Sequence, residues 1–200
     1  MGGHHHPQIS LHTHSLGDYV RCIQSEDWAS VAELMLDSAN KLAAIGADFL
    51  ICPDNTIHQA LPRIAARLPL PWLHIGEVVA REASRRGFRT LGLTGTRTLV
   101  ESEVYPEQLA LQGLHYQRPD AAARAELDRI IVEELVRGVF GATAVTFMQE
   151  LIGRLQAAGC DAVVLGCTEI PLIIHDGNSP LPTLDSTRLL ARAAIAKALA

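Results

Sequence analysis

Lysine is almost absent from this chain, occurring only at Lys41 and Lys197. Both fall in alanine-rich stretches that read as helix. A pyridoxal enzyme holds its cofactor as a Schiff base on a lysine, so that chemistry is not expected, and no cofactor is called for. Long apolar runs are missing too. None approaches the roughly 18 residues that a membrane span requires. The opening MGGHHHPQIS lacks the basic and apolar parts of a secretion signal. Cys22, Cys52, Cys160 and Cys167 show no CxxC spacing, so they read as reduced thiols of a cytoplasmic protein, not a disulfide frame. Net charge is −5 with both signs scattered, which leaves no basic stripe for nucleic acid. What is present is 200 residues, 48% of them hydrophobic, enough to bury a substantial core.

Short apolar runs alternate with longer periodic ones. The runs predict strands at Ile9–His12, Phe49–Cys52, Trp72–Ile75, Thr90–Thr94, Leu114–Gln117, Ala162–Leu165 and Thr183–Leu184. The periodic segments predict helices at Trp28–Ile45, Ile57–Leu68, Gly76–Arg86, Leu99–Gln112, Ala121–Val139, Thr143–Ala158 and Thr187–Leu199. Strands alternating with helices of this length imply parallel βαβ units.

The chain also repeats itself. GADFLICPDNTI (Gly46–Ile57) aligns with GCDAVVLGCTEI (Gly159–Ile170) at an offset of 159 − 46 = 113. PLPWL (Pro69–Leu73) aligns with PLPTL (Pro180–Leu184) at 180 − 69 = 111. The expected fold is therefore α/β, in two pseudo-symmetric lobes. Each is a short parallel sheet flanked by helices, with the active site in the cleft between them. The first lobe spans 1–86, the second 87–186, and the last helix, within 187–200, packs back on the first. By symmetry a strand and helix are expected before Ile9, and their lack would expose a sheet edge. Ligands of parallel sheets bind beyond the carboxyl ends of the strands. There the repeat sets Asp54 against Cys167, one from each lobe.

Cys167 follows AVVLG and precedes TEIPLI, where a helix N-terminus would favour the thiolate. The alternative is a buried small hydrophobe, the reading given to Cys22, Cys52 and Cys160. Asp54 is placed to cap a helix and also to act in a cleft. Asn55 and Thr56 offer donors and acceptors beside it. Gly95, Thr96, Arg97 and Thr98 end another strand, in a turn whose N–H groups and hydroxyls suit an anion. His12-x-His14 resembles the metal pair of amidohydrolase barrels. Such barrels need about 250 residues, and the sequence offers no further His/Asp set to complete the ligands. No metal site is expected.

Taken together, GADFLICPDNTIH, GLTGTRTLVESEVY, DAVVLGCTEIPLI and SPLPTLDSTRLLARAA resemble segments of the aspartate/glutamate racemase family, over nearly the whole chain. The resemblance implies cofactor-independent isomerases, often dimeric, in which two groups face each other across a substrate α-carbon. It implies Cys167 as the second-lobe acid/base. Asn55, Thr56 and Thr168 would hold the substrate's polar groups with Glu169 next to them, and Thr96 and Thr98 would help bind a carboxylate. Two departures stand out. The family places Cys or Thr immediately before Asn-Thr, where this chain has Asp54. The family's opening strand and turn are also lacking. Asp54 is then either the second base or a binder of an ammonium group. The leading expectation is a racemase or epimerase of a small amino or dicarboxylic acid, aspartate- or glutamate-like, that works as a homodimer. The alternatives are a single-cysteine decarboxylase or cis-trans isomerase, and a non-catalytic ligand-binding protein.

Overall fold

The computed structural model describes residues 6–200, so His4 and His5 lie outside the described part. An irregular segment leads into two helices, α1 (Leu16–Gln24) and α2 (Trp28–Ala44). Two short strands, β1 (Leu50–Ile51) and β2 (Trp72–Leu73), pair in parallel, with 3-10 turns at Thr56–Arg63 and Ala65–Arg67 between them. Then come α3 (Ile75–Arg85), β3 (Thr90–Thr94), α4 (Arg97–Glu101), α5 (Val104–Leu111), β4 (His115–Gln117) and α6 (Ala121–Arg129). A π turn at Ile130–Glu134 and a 3-10 turn at Leu135–Arg137 precede α7 (Ala142–Ala157), β5 (Ala162–Leu165), β6 (Thr183–Asp185) and α8 (Ser186–Ala198). The second sheet is parallel throughout, in the order β4-β3-β5-β6.

Side-chain alternation decides which helices cover which face of this sheet. Leu91, Leu93, Ala162, Val164 and Leu184 point to one face and pack with α3 (Val79, Ala80, Ala83), α5 (Tyr105, Leu109) and Leu189 of α8. Val163 and Leu165 point to the other, against α6, the turns after it and α7 (Met148, Leu151, Ile152). A smaller core joins α2 (Val31, Met35, Leu36) to the turn residues Ile57, Leu61 and Ile64. Each such fully buried aliphatic side chain stabilises the fold by about 1.5–3 kcal/mol.

The repeat read from the sequence governs strand pairing. Leu50 pairs with Trp72 and Ile51 with Leu73; Val163 pairs with Thr183 and Val164 with Leu184. The offsets are 163 − 50 = 113 and 183 − 72 = 111, those of the two sequence matches. Gly46 and Gly159, equivalent in the repeat, both end helices at positive φ, +88° and +92°, as a left-handed cap requires.

Several expected elements differ. Ile9–His12 is no strand, and Ile9 and Leu11 are almost fully exposed; a strand exists only when another backbone hydrogen-bonds it. The helix expected at Ile57–Leu68 is two 3-10 turns, with Pro62 inside the first; a proline there removes an N–H donor. Leu99–Gln112 divides into α4 and α5 at Ser102, whose Oγ donates to Leu99 O (2.7 Å) and accepts from Val104 N (3.3 Å). Such a local hydroxyl bond competes with helical backbone bonding.

A buried and a half-buried histidine, His58 and His74, pack where β2 meets α3. His58 Nε2 accepts from the Trp72 indole N–H (3.1 Å) and from Ile75 N (3.4 Å). The indole is a donor only, so the His58 proton sits on Nδ1, which donates to Asp54 O at 2.7 Å. His74 Nδ1 caps α3, accepting from Gly76 N and Glu77 N. The two rings meet edge to face, 4.7 Å apart. Burial, with the neighbouring His74 as the second cause, pushes the His58 pKa down to about 3, and burial brings His74 down to about 4. Below the ordinary value of 6.5 the unfolded chain binds these protons and the folded chain does not. Stability is therefore complete above pH 6.5 and lost as pH falls toward 4 and 3. Thermal melts should show a falling Tm across that window. His74→Asn, which keeps a cap acceptor, should flatten the acid slope; equal slopes in both proteins would refute the account.

Candidate active site

Asp54 follows β1 and is exposed as a residue, and its Oδ1 accepts from Ile57 N at 3.1 Å. It thus caps the first turn after the strand. Its carboxyl is nonetheless hemmed in by protein. Desolvation raises its pKa above the ordinary carboxylate value, against hydrogen bonds from Ile57 and Thr56, and the charge of Glu169 adds to the rise. Cys52, two residues earlier, is a neutral thiol with its pKa pushed to about 12 by burial first and the Asp54 charge second.

Cys167 lies two residues past β5 and is half-buried. The segment after it is a single 3-10 turn, Ile170–Leu172, with Pro171 in its first positions, where the sequence predicts a longer helix. A dipole needs several aligned peptides, so the expected thiolate-favouring field is largely lost. The Cys167 pKa is in fact raised: by burial, by its hydrogen bond to Glu169, and by the charges of Glu169 and Asp54. The thiol donates to Glu169 Oε2 at 2.8 Å, and the Thr168 hydroxyl donates to the same oxygen at 2.7 Å. The Glu169 carboxylate is therefore turned onto Cys167, a contact that sequence spacing alone does not reveal.

The ends of β3 and β5 meet closely, and this sets the thiol beside the Thr96 turn. Gly166 N donates to Thr94 O at 3.0 Å. A Cβ on Gly166 would fall 2.6 Å from that carbonyl oxygen, and Gly95, at φ +151°, faces Gly166 O in turn. Only glycine fits both positions without displacing backbone. Thr96 caps α4 by accepting from Leu99 N, and its Oγ1 lies 3.3 Å from Thr56 Oγ1. That contact joins the turn after β1 to the turn after β3. Thr98, on the first turn of α4, is half-buried and is not drawn into it.

Asn55, expected among the substrate-facing groups, is 3% exposed and already engaged. Its Oδ1 accepts from the Tyr105 hydroxyl at 2.6 Å, and its Nδ2 donates to Ser186 Oγ at 3.0 Å. Ser186 Oγ donates onward to Leu165 O at 2.9 Å. Tyr105 and Ser186 are functional neighbours that sequence reasoning missed; both are buried and sit in helices that read as packing.

Residues able to hold a metal gather elsewhere. His12, His14 and Asp37 bring one ligand atom each within 4.8 Å of the others, and Asp37 on α2 is the group the sequence did not supply. No helix among the described residues is long and apolar enough to cross a membrane.

Comparison with known proteins gives a consistent result. The family profile described as Asp/Glu/Hydantoin racemase matches residues 1–194. The chain is 25% identical over 177 residues to the broad specificity amino-acid racemase RacX of Bacillus subtilis, covering 87% of this chain and 75% of that protein. It is 30% identical over 175 residues to the glutamate racemase of Thermus thermophilus, covering 86% of this chain and 63% of that protein. In three dimensions it matches a candidate Asp/Glu racemase from Yersinia pestis at 31% identity and a TM-score of 0.92, covering 100% of this chain and 87% of that one.

The buried Asn55 chain is open to a direct test. Tyr105→Phe leaves Asn55 Oδ1 without its donor in a dry site, at a cost of about 1–3 kcal/mol. Urea unfolding should show that loss with an unchanged m-value; an unaltered midpoint would mean the contact contributes nothing.

Proposed function

The chain belongs to the Asp/Glu/hydantoin racemase family, and from that premise we propose that it inverts the α-carbon of a small amino acid, aspartate- or glutamate-like, by two-sided proton transfer without a cofactor. The observation that carries this reading is that Asp54 comes near enough to Cys167 for its charge to act on the thiol. They leave the ends of strands in different sheets, yet the Asp54 charge raises the Cys167 pKa. The decarboxylase, cis-trans isomerase and binding-protein alternatives have no counterpart among the relatives described above. The homodimer remains part of the proposal. The exposed apolar side chains Val132, Val136, Val139 and Phe140 offer it a surface, and four free thiols accord with a cytoplasmic setting.

In this scheme Asp54 acts as carboxylate on one face. Its raised pKa makes it a stronger base than a solvated aspartate. It takes the α-proton, and the Cys167 S–H delivers a proton to the opposite face, leaving a thiolate. For the other enantiomer the roles reverse. The thiolate left by the first direction removes the α-proton of that enantiomer while the protonated Asp54 returns one, and the regenerated thiol again donates to Glu169. Glu169 is thus proposed as a hydrogen-bond partner of Cys167 rather than a substrate ligand. Thr56 and Thr96, whose hydroxyls meet between the two halves, are proposed to bind the substrate carboxylate with Thr98 and Thr168. Asn55 is proposed to fix the Asp54 turn.

Solvent-deuterium uptake at the α-carbon, followed by proton NMR over a panel of amino and dicarboxylic acids, tests the pair. Cys167→Ser and Asp54→Asn should each lower racemisation by about 10²–10⁴-fold, the usual scale for a positioned acid or base. Undiminished exchange in Cys167→Ser would refute the thiol's role. A mild effect of Asp54→Asn would refute the two-base scheme.

A further inference from the structure

We propose that His12, His14 and Asp37 form a binding site for a divalent transition-metal ion, zinc being the natural probe, separate from the Asp54–Cys167 site. The two histidines lie in the irregular segment before α1, with ring centroids 4.9 Å apart and planes at 78°. Asp37 reaches them from α2, and the three ligand atoms lie within 4.8 Å of one another. Two imidazoles and one carboxylate are a set that zinc and ferrous iron accept, with open positions left for water.

Two details of hydrogen bonding favour a cation at this point. His14 Nε2 sits 2.8 Å from Asp37 Oδ2, yet this buried nitrogen makes no hydrogen bond. The two atoms are close but misaligned, as expected when both are aimed at a third point. His12 supplies the second detail. Ser38 Oγ lies 3.2 Å from Leu34 O and 3.0 Å from His12 Nδ1. With its proton given to Leu34 O, Ser38 accepts from Nδ1–H of His12, the tautomer that leaves the Nε2 lone pair for a metal. A ligand histidine oriented through its other nitrogen is the usual support of a metal site.

Lys41 opposes the ion. Its Nζ lies 2.6 Å from Asp37 Oδ2, where it holds the carboxylate and repels a second cation. Affinity is therefore moderate, and removing the ammonium should raise it. Bound metal would staple the His12–His14 segment to α2. The staple adjoins Tyr19 of α1, whose ring His14 meets edge-on at 6.4 Å.

The experiment uses the full chain with His4, His5 and His6 replaced by serine, which removes a tract able to chelate by itself. Calorimetry with zinc and the absorption spectrum with cobalt(II) are the readouts. One equivalent should bind, with a cobalt spectrum of mixed nitrogen and oxygen ligation. His12→Ser with His14→Ser should abolish binding, Asp37→Asn should weaken it at least tenfold, and Lys41→Met should tighten it several-fold. Loss of binding on replacing His4–His6 alone, or binding indifferent to both Asp37→Asn and Lys41→Met, would overturn the proposal. Neither readout depends on turnover, so the outcome is independent of the racemase assignment.

Discussion

One buried hydrogen-bond chain fixes the relation between the two halves: Tyr105 to Asn55, Asn55 to Ser186, Ser186 to the carbonyl of Leu165. Each link is in a dry place, where an unpaired polar group is costly and alternatives are few. The chain ties four separate parts of the sequence together. Asn55 is the residue after Asp54, and Leu165 is the last residue of β5, two before Cys167. Ser186 opens α8 and Tyr105 lies in α5. The clamp therefore grips the backbone next to each proposed proton carrier without engaging either side chain itself. His58 adds a second hold on the same turn by donating to the Asp54 carbonyl; protonation would keep that donor and remove the acceptor used by Trp72 and Ile75.

Rigid turns matter here because the local charges repel. Asp54, Glu169 and Cys167 are all groups that become negative on ionisation, and the charge of Glu169 raises the pKa of both Asp54 and Cys167. Left mobile, they would move apart into water. Held in place, Asp54 acts on Cys167 through its charge, so a measured pH profile belongs to the pair rather than to one residue.

The sequence was legible where the physics is local and periodic. Apolar runs located the core strands β3, β4, β5 and β6, and the internal repeat anticipated the pairings of Leu50 with Trp72 and Val163 with Thr183. Glycines that end helices were readable from their place after the periodic segment. What escaped is what depends on partners distant in the chain. Asn55 reads as a ligand group because it stands in a polar turn; its engagement by Tyr105 and Ser186 spans 50 and 131 positions. The Cys167 environment was misjudged for a related reason. TEIPLI has helical composition, but Pro171 and close packing leave a single turn, and desolvation outweighs whatever dipole remains. Asp37 was invisible as a partner for His12 and His14 until α2 was seen beside them.

The proposed chemistry gives the lysine-poor composition a mechanistic meaning. The charges acting on Cys167 are both negative, so its proton is tightly held before substrate arrives. An α-amino acid brings an ammonium group, and an opposite charge within about 4–6 Å favours ionisation of an acid. Binding would then lower the raised Cys167 pKa at the moment when the thiol must give up its proton. A resident lysine at the same place would ionise the thiol permanently and compete with the substrate for Glu169 and Asp54. In a site of this kind the cation is better delivered by the substrate than built into the protein. The penalty of crowding three acids then also serves as selectivity for molecules that carry a positive charge beside the carbon to be inverted.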